Sequence, residues 1–195
     1  GAETALDLAR SEVPVAPPGD RFIYSDINFF VLGAIVSAVS GESLDAYTRR
    51  TIFQPLGMRD TGFLPPAALH ARVAPTERCR EMDAWPCQRP GEAPLRAVVH
   101  DPTARRMGGV AGHAGLFGTA ADLGRFARML LNGGTLDGVR VLAPATVARM
   151  TSRATPPHLP SRGLGWDIDT SFSSNRGERA HRLHRYPPLD RPRVP

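Results

Sequence analysis

A fold of mixed helix and strand, weighted toward helix, is what this sequence predicts. Two observations carry that reading. Apolar residues recur at helical spacing in several capped runs, and the segments between them are short, turn-rich and strand-like. A length of 195 residues is enough for one domain with its own core. Hydrophobic residues make up 42% and charged residues 22%, the balance of an ordinary globular chain. Nineteen glycines and nineteen prolines predict many turns and few long uninterrupted elements.

The elements follow in order. A helix is predicted over residues 26–39, presenting Phe29, Phe30, Leu32, Ile35, Val36 and Val39 as a broad apolar surface. Ser40-Gly41 stops it. A second helix starts at Ser43 as N-cap and buries Leu44, Tyr47, Ile52 and Phe53 before Pro55-Leu56-Gly57-Met58 ends it. Residues 64–106 are too long for a plain loop in a compact domain, so short strands are expected there. Thr119 caps a third helix with Asp122 in its first turn. That helix is predicted to bury Leu123, Phe126, Ala127, Leu130 and Leu131 and to end at Asn132-Gly133-Gly134. A short helix begins near Pro144, and residues 163–168 read as a strand. No repeat is visible. The longest apolar run, residues 29–39, falls short of the roughly 20 residues a membrane span needs.

Charge argues against a nucleic-acid partner. The net charge is +5, but residues 177–195 hold five arginines and two acids, which leaves only +2 for the other 176 residues. No helix carries a basic stripe with interleaved aromatics. Cys79 and Cys87 are the only cysteines. They are either two unrelated thiols or a small loop disulfide, which would imply an oxidising compartment. A metal site is not expected, because no Cys-x-x-Cys pair or nearby histidine set supports one. His181 and His184 do not change that. No cofactor is expected.

The most informative stretch is Ile23-Tyr24-Ser25-Asp26-Ile27-Asn28-Phe29-Phe30-Val31-Leu32-Gly33, a Tyr-x-Asp step that opens an apolar helix. Further on come Gln54-Pro55-Leu56-Gly57-Met58 and Thr61-Gly62-Phe63. Together these resemble the serine penicillin-binding-protein and class C β-lactamase-like hydrolases, over roughly residues 12–176. The resemblance implies an α+β fold, with an antiparallel sheet flanked by helices beside a mostly helical region and the active site between. This chain is expected to supply chiefly the helical region with part of the sheet. The mechanism implied is acylation of a serine followed by hydrolysis. Tyr24 would be general base and proton shuttle. Asp26, where the family more often has Asn, is either a helix N-cap or a substrate contact. Asn28 and His113 are the other substrate-binding candidates. His113 sits in Gly-His-Ala-Gly, ahead of a capped helix rather than on a strand. His100-Asp101 is a further pocket pair. The implied substrates are β-lactams, small esters or D-Ala-D-Ala peptides, and the implied location of the parent protein is extracytoplasmic.

One part of that machinery is missing. The family nucleophile is Ser-x-x-Lys, whose amine activates the hydroxyl. All 24 basic residues here are arginine, so none of the ten serines can complete the motif. Arginine stays protonated and cannot act as that base. The expectation is a fragment of a serine hydrolase, inactive as written. The competing expectation is a non-catalytic pseudoenzyme that binds peptidoglycan-like peptides.

From about Arg179 the sequence loses all period and reads as a basic, proline-rich tail distinct from residues 1–176. With GC-favoured codons for residues 180–192, the frame one base later encodes His-Thr-Gly-Phe-Thr-Gly-Thr-Pro-Leu-Trp-Ile-Asp. That resembles the family's third motif, a His/Lys-Thr-Gly strand. A single-base shift near codon 179 is the hypothesis, and DNA that cannot encode the second frame would overturn it.

Overall fold

A computed structural model of the chain describes residues 1–79 and 93–170. Cys87 and residues 177–195, with His181 and His184, lie outside the described residues. Helix α1, Ala2–Ser11, has no counterpart in the reading above. Its Ala, Glu, Leu and Arg content is that of a good helix former, so the signal was present. Helix α2, Asp26–Ser40, matches the expected run. Gly41 ends it in the left-handed conformation, φ 72°, and donates its N–H to the Ser37 carbonyl at 3.0 Å.

Helix α3, Leu44–Thr48, has Ser43 at the expected N-cap position, although its side chain makes no capping hydrogen bond, and then widens into a π turn, Arg49–Phe53. Strand β1, Gly62–Phe63, pairs antiparallel with β4, Leu116–Phe117. The long connection does carry strands. β2, Pro75–Glu77, pairs with β3, Leu95–Arg96, through a bulge. It also carries a 3-10 turn over Ala67–Arg72 and helix α4, Pro102–Arg106. Helix α5, Ala120–Leu131, leads into a hairpin of β5, Thr135–Leu136, and β6, Val139–Arg140. Asp137 and Gly138 turn that hairpin with φ 49° and 81°, as an Asp-Gly pair in a two-residue loop does. Helix α6, Pro144–Thr151, follows. The strand expected at 163–168 is instead a hairpin. β7, Ser161–Arg162, pairs with β8, Asp167–Asp169, and Gly163 donates to the Trp166 carbonyl across the turn. Gly165, at φ 77°, supplies the reversal.

The main core joins the π turn, α5 and the β5–β6 hairpin. Phe53, Leu56, Met58, Met129 and Leu136 are its buried members. The face that α5 buries differs from the expected one. Met129 and Asp122 are buried, whereas Leu123, Ala127 and Leu131 point outward. Asp122 decides this. Its Oδ2 accepts from the Asp60 N–H at 2.9 Å and from the Thr61 hydroxyl at 2.8 Å, which turns that side of the helix inward. A second, smaller core of Val99, Ala104 and Ala111 lies under α4.

The second core meets α2 through glycine. A Cβ at Gly112 would lie 2.0 Å from the Phe29 carbonyl oxygen, and one at Gly33 would lie 3.1 Å from the Gly112 nitrogen. Only a residue without a side chain lets the 107–119 segment press on the helix backbone this closely.

Candidate active site

Tyr24 stands in the extended segment just before α2 and is 67% exposed. Its hydroxyl donates to Asp26 Oδ1 at 3.0 Å. Ser25 is the N-cap residue of α2, so Asp26 occupies the first helical position rather than the cap. A carboxylate there suits the positive end of the helix dipole. Asn28 is exposed in the same turn and makes no side-chain hydrogen bond among the described residues.

Asp101 is the other carboxylate of this region. Its side chain caps α4 by accepting the Ala104 N–H at 2.6 Å. The same oxygen meets His113 Nε2 at 2.9 Å. Buried Arg105 donates from Nε to the Val99 carbonyl at 2.9 Å and from its guanidinium to the His100 carbonyl, which fixes the backbone that presents Asp101. Burial would raise the Asp101 carboxyl. The Ala104 N–H and His113 outweigh it and hold the group below its ordinary value.

His113 is only 3% exposed and lies edge-on to Phe30 of α2, with ring centres 5.3 Å apart. It thus ties α2 to Asp101 and faces framework rather than open space. His100 does not bond its chain neighbour. Its Nδ1 faces Glu77 at 2.8 Å, although His100 and Asp101 both line a cavity of about 630 Å³. The sequence offered no sign that Asp101 would pair with His113, twelve residues on, or that Arg162 would come near Tyr24.

The electrostatics at Tyr24 favour the neutral phenol. The hydrogen bond to Asp26 comes first, then the Asp26 charge, with Asp101 adding to both; they push Tyr24 above its ordinary value near 10. Among the described residues Arg162 acts in the opposite direction, and it is outweighed. Asp26→Asn removes the charge and is expected to lower the Tyr24 value. Ultraviolet titration of phenolate against Tyr24→Phe measures this, and an unchanged curve would show that Asp26 does not control the hydroxyl.

Cys79 is buried and holds no free thiol. Among the described residues no group of three or more potential metal ligands is gathered, and no single helix is long and apolar enough to cross a membrane.

Comparison with known proteins fits this architecture. A sequence model of the family described as Beta-lactamase matches residues 2–183. A protein of Salmonella schwarzengrund named "Putative D-alanyl-D-alanine carboxypeptidase" is 34% identical over 180 residues, which are 87% of this chain and 40% of that protein. The chain therefore spans about 40% of the length of the curated relatives it matches. Among solved structures, a penicillin-binding protein homologue from Caulobacter crescentus superposes with a TM-score of 0.60 at 22% identity, covering 84% of this chain and 47% of that one. A class C β-lactamase from Rhodobacter sphaeroides gives 0.58 at 23% identity, covering 83% and 40%. These structures share the fold, helices with small antiparallel strand pairs in an α+β arrangement.

Proposed function

The chain belongs to the beta-lactamase family, and from that premise we propose that it is a portion of a serine hydrolase that works through an acyl-enzyme. In the complete machinery a serine oxygen bonds the acyl carbon of an ester or amide. Its proton passes to Tyr24 and on to the leaving group, and water then releases the acyl group as an acid. The substrate classes are β-lactams, small esters and D-Ala-D-Ala peptides, the last in keeping with the name of the Salmonella relative. Asp26 and Asn28 sit beside Tyr24 where a substrate would pass. Asp101 and His113 hold the helix that carries them.

These 195 residues do not perform that reaction by themselves. The observation that carries this is the absence of any lysine from these residues. Incubation with a fluorescent penicillin is expected to leave the intact mass unchanged. An acyl adduct on any of the ten serines would overturn the reading. Saturable binding of an acetylated D-Ala-D-Ala peptide by this chain alone would favour the non-catalytic, peptide-binding alternative instead.

Cys79 pairs with Cys87 in our reading, and the parent protein acts outside the cytoplasm, where such a bond persists. Intact mass is expected to rise by two hydrogens on reduction under denaturing conditions. Two free thiols in protein purified from an oxidising compartment would sink the pairing.

A further inference from the structure

The chain leaves β1 in an unusual way. Leu64, the next residue, has φ 47°, in the left-handed region that a bulky side chain seldom enters. Pro65 follows, and a residue ahead of proline is drawn to extended backbone, so the conformation is resisted twice. Strain of this kind persists where the surrounding structure over-determines it, and it gathers at ligand-binding sites. Here it lays the Leu64 side chain against Gly109, where a Cβ would lie 2.6 Å from Leu64 Cδ2. Leu64 is still 56% exposed, and it lines a cavity of about 280 Å³.

Phe63, Pro65, Leu69 and Phe117 complete an apolar wall, and Arg49 and Arg59 line the same cavity. Arg49 opens the π turn and Arg59 follows Met58. Phe53 and Met58 are buried in the main core, and the Met58 N–H donates to the Phe53 carbonyl at 2.8 Å, so both arginines rise from one fixed turn. Neither guanidinium makes a hydrogen bond or an ion pair among the described residues. The carboxylate in this wall is already engaged: Asp60 accepts from both terminal nitrogens of Arg72, at 3.1 and 2.9 Å. Asp45, one turn before Arg49, lies near enough to feel its charge, but Ser43 holds that carboxylate. An apolar hollow with two cations whose donors are unused suits an anion that has an apolar part.

We propose that this cavity binds a small amphiphilic anion, an aromatic or branched apolar group carrying one carboxylate or phosphate. The apolar group lies on Leu64, Leu69 and Phe117, and Arg49 and Arg59 hold the anionic group by charge-assisted hydrogen bonds. The volume is just under the roughly 300 Å³ at which sites for drug-sized molecules begin, which suits a single ring and is too small for a two-chain lipid. None of Tyr24, Asp26, Asn28 and His113 lines the cavity, so its occupancy does not depend on the role given to Tyr24.

Calorimetric titration of the 195-residue chain with phenylbutyrate tests this. The expected result is saturable one-to-one binding that weakens as salt is raised. Phenylbutanol keeps the apolar body without the charge and is expected to bind about tenfold more weakly, and phenylbutyrate is expected to lose as much on Arg49→Gln with Arg59→Gln. Both arginines are exposed, so circular dichroism of that double variant should be unchanged. Leu64→Asn installs a residue that tolerates the left-handed region and removes part of the apolar wall. It is expected to bind several-fold more weakly without losing thermal stability. Tyr24→Phe is expected to bind as the parent chain does. No saturable binding, equal binding of the alcohol, or full affinity in the arginine double variant overturns the site. Association with phosphatidylglycerol vesicles in place of phenylbutyrate overturns it as well, because the arginines would then face a membrane surface rather than an enclosed molecule.

Discussion

Met129→Ala is expected to lower stability by about 2–5 kcal/mol, the range for truncating a fully buried long aliphatic side chain. Met129 is completely buried on α5, at the centre of the cluster formed with Phe53, Leu56, Met58 and Leu136. It connects three elements distant in sequence: the π turn, α5 and the β5–β6 hairpin. Truncation leaves a void that these elements cannot close together, because the hairpin is anchored at Gly134. A Cβ at Gly134 would already meet the Leu142 carbonyl at 2.1 Å, so the backbone there has no slack. Leu131→Ala is the control. Leu131 is two residues on and equally apolar, but it is 86% exposed, and its truncation is expected to change stability by less than about 0.5 kcal/mol. Urea denaturation of the two variants decides the matter. Equal losses would mean that α5 presents a different face to the core.

The second large effect is expected at Asp122. Asp122→Ala removes the acceptor shared by the Asp60 N–H and the Thr61 hydroxyl, and Asp122 is itself buried. Two donors would then lie at the α5–β1 contact without a partner. The expected loss is about 2–4 kcal/mol, from hydrogen bonds to a charged group and the desolvation of what remains. Asp122→Asn keeps one carbonyl oxygen in place and is expected to lose less than Asp122→Ala. If the two variants are equally destabilised in urea, the carboxylate oxygen is not the anchor described.

Much of the local structure was legible because it depends on short-range rules. Gly41 after an apolar run, Thr119 as a cap, Ser43 at an N-cap position and Pro144 at a first helical position each act within a few residues of chain. The Asp137-Gly138 hairpin and α1 rest on rules equally local. What could not be read depended on contacts across the fold. The buried face of α5 differs from the expected one because hydrophobic spacing cannot see that Asp122 has partners about sixty residues earlier. Residues 163–166 form a turn rather than a strand because Gly-Leu-Gly permits either extension or reversal, and pairing of Asp167–Asp169 with Ser161–Arg162 selects reversal.

The site divides in the same way. Sequence alone determined the Tyr24-Ser25-Asp26 step at the head of an apolar helix, and it excluded a Ser-x-x-Lys pair, because a missing residue type is absent from every fold. Only the tertiary structure decided that Asp26 binds the Tyr24 hydroxyl, that His113 is buried between Phe30 and Asp101, and that Arg162 arrives too weakly to counter two carboxylates. The reason is physical: which residue types exist is a property of the chain, whereas the proton affinity of a tyrosine is a sum of fields from charges brought near it by folding.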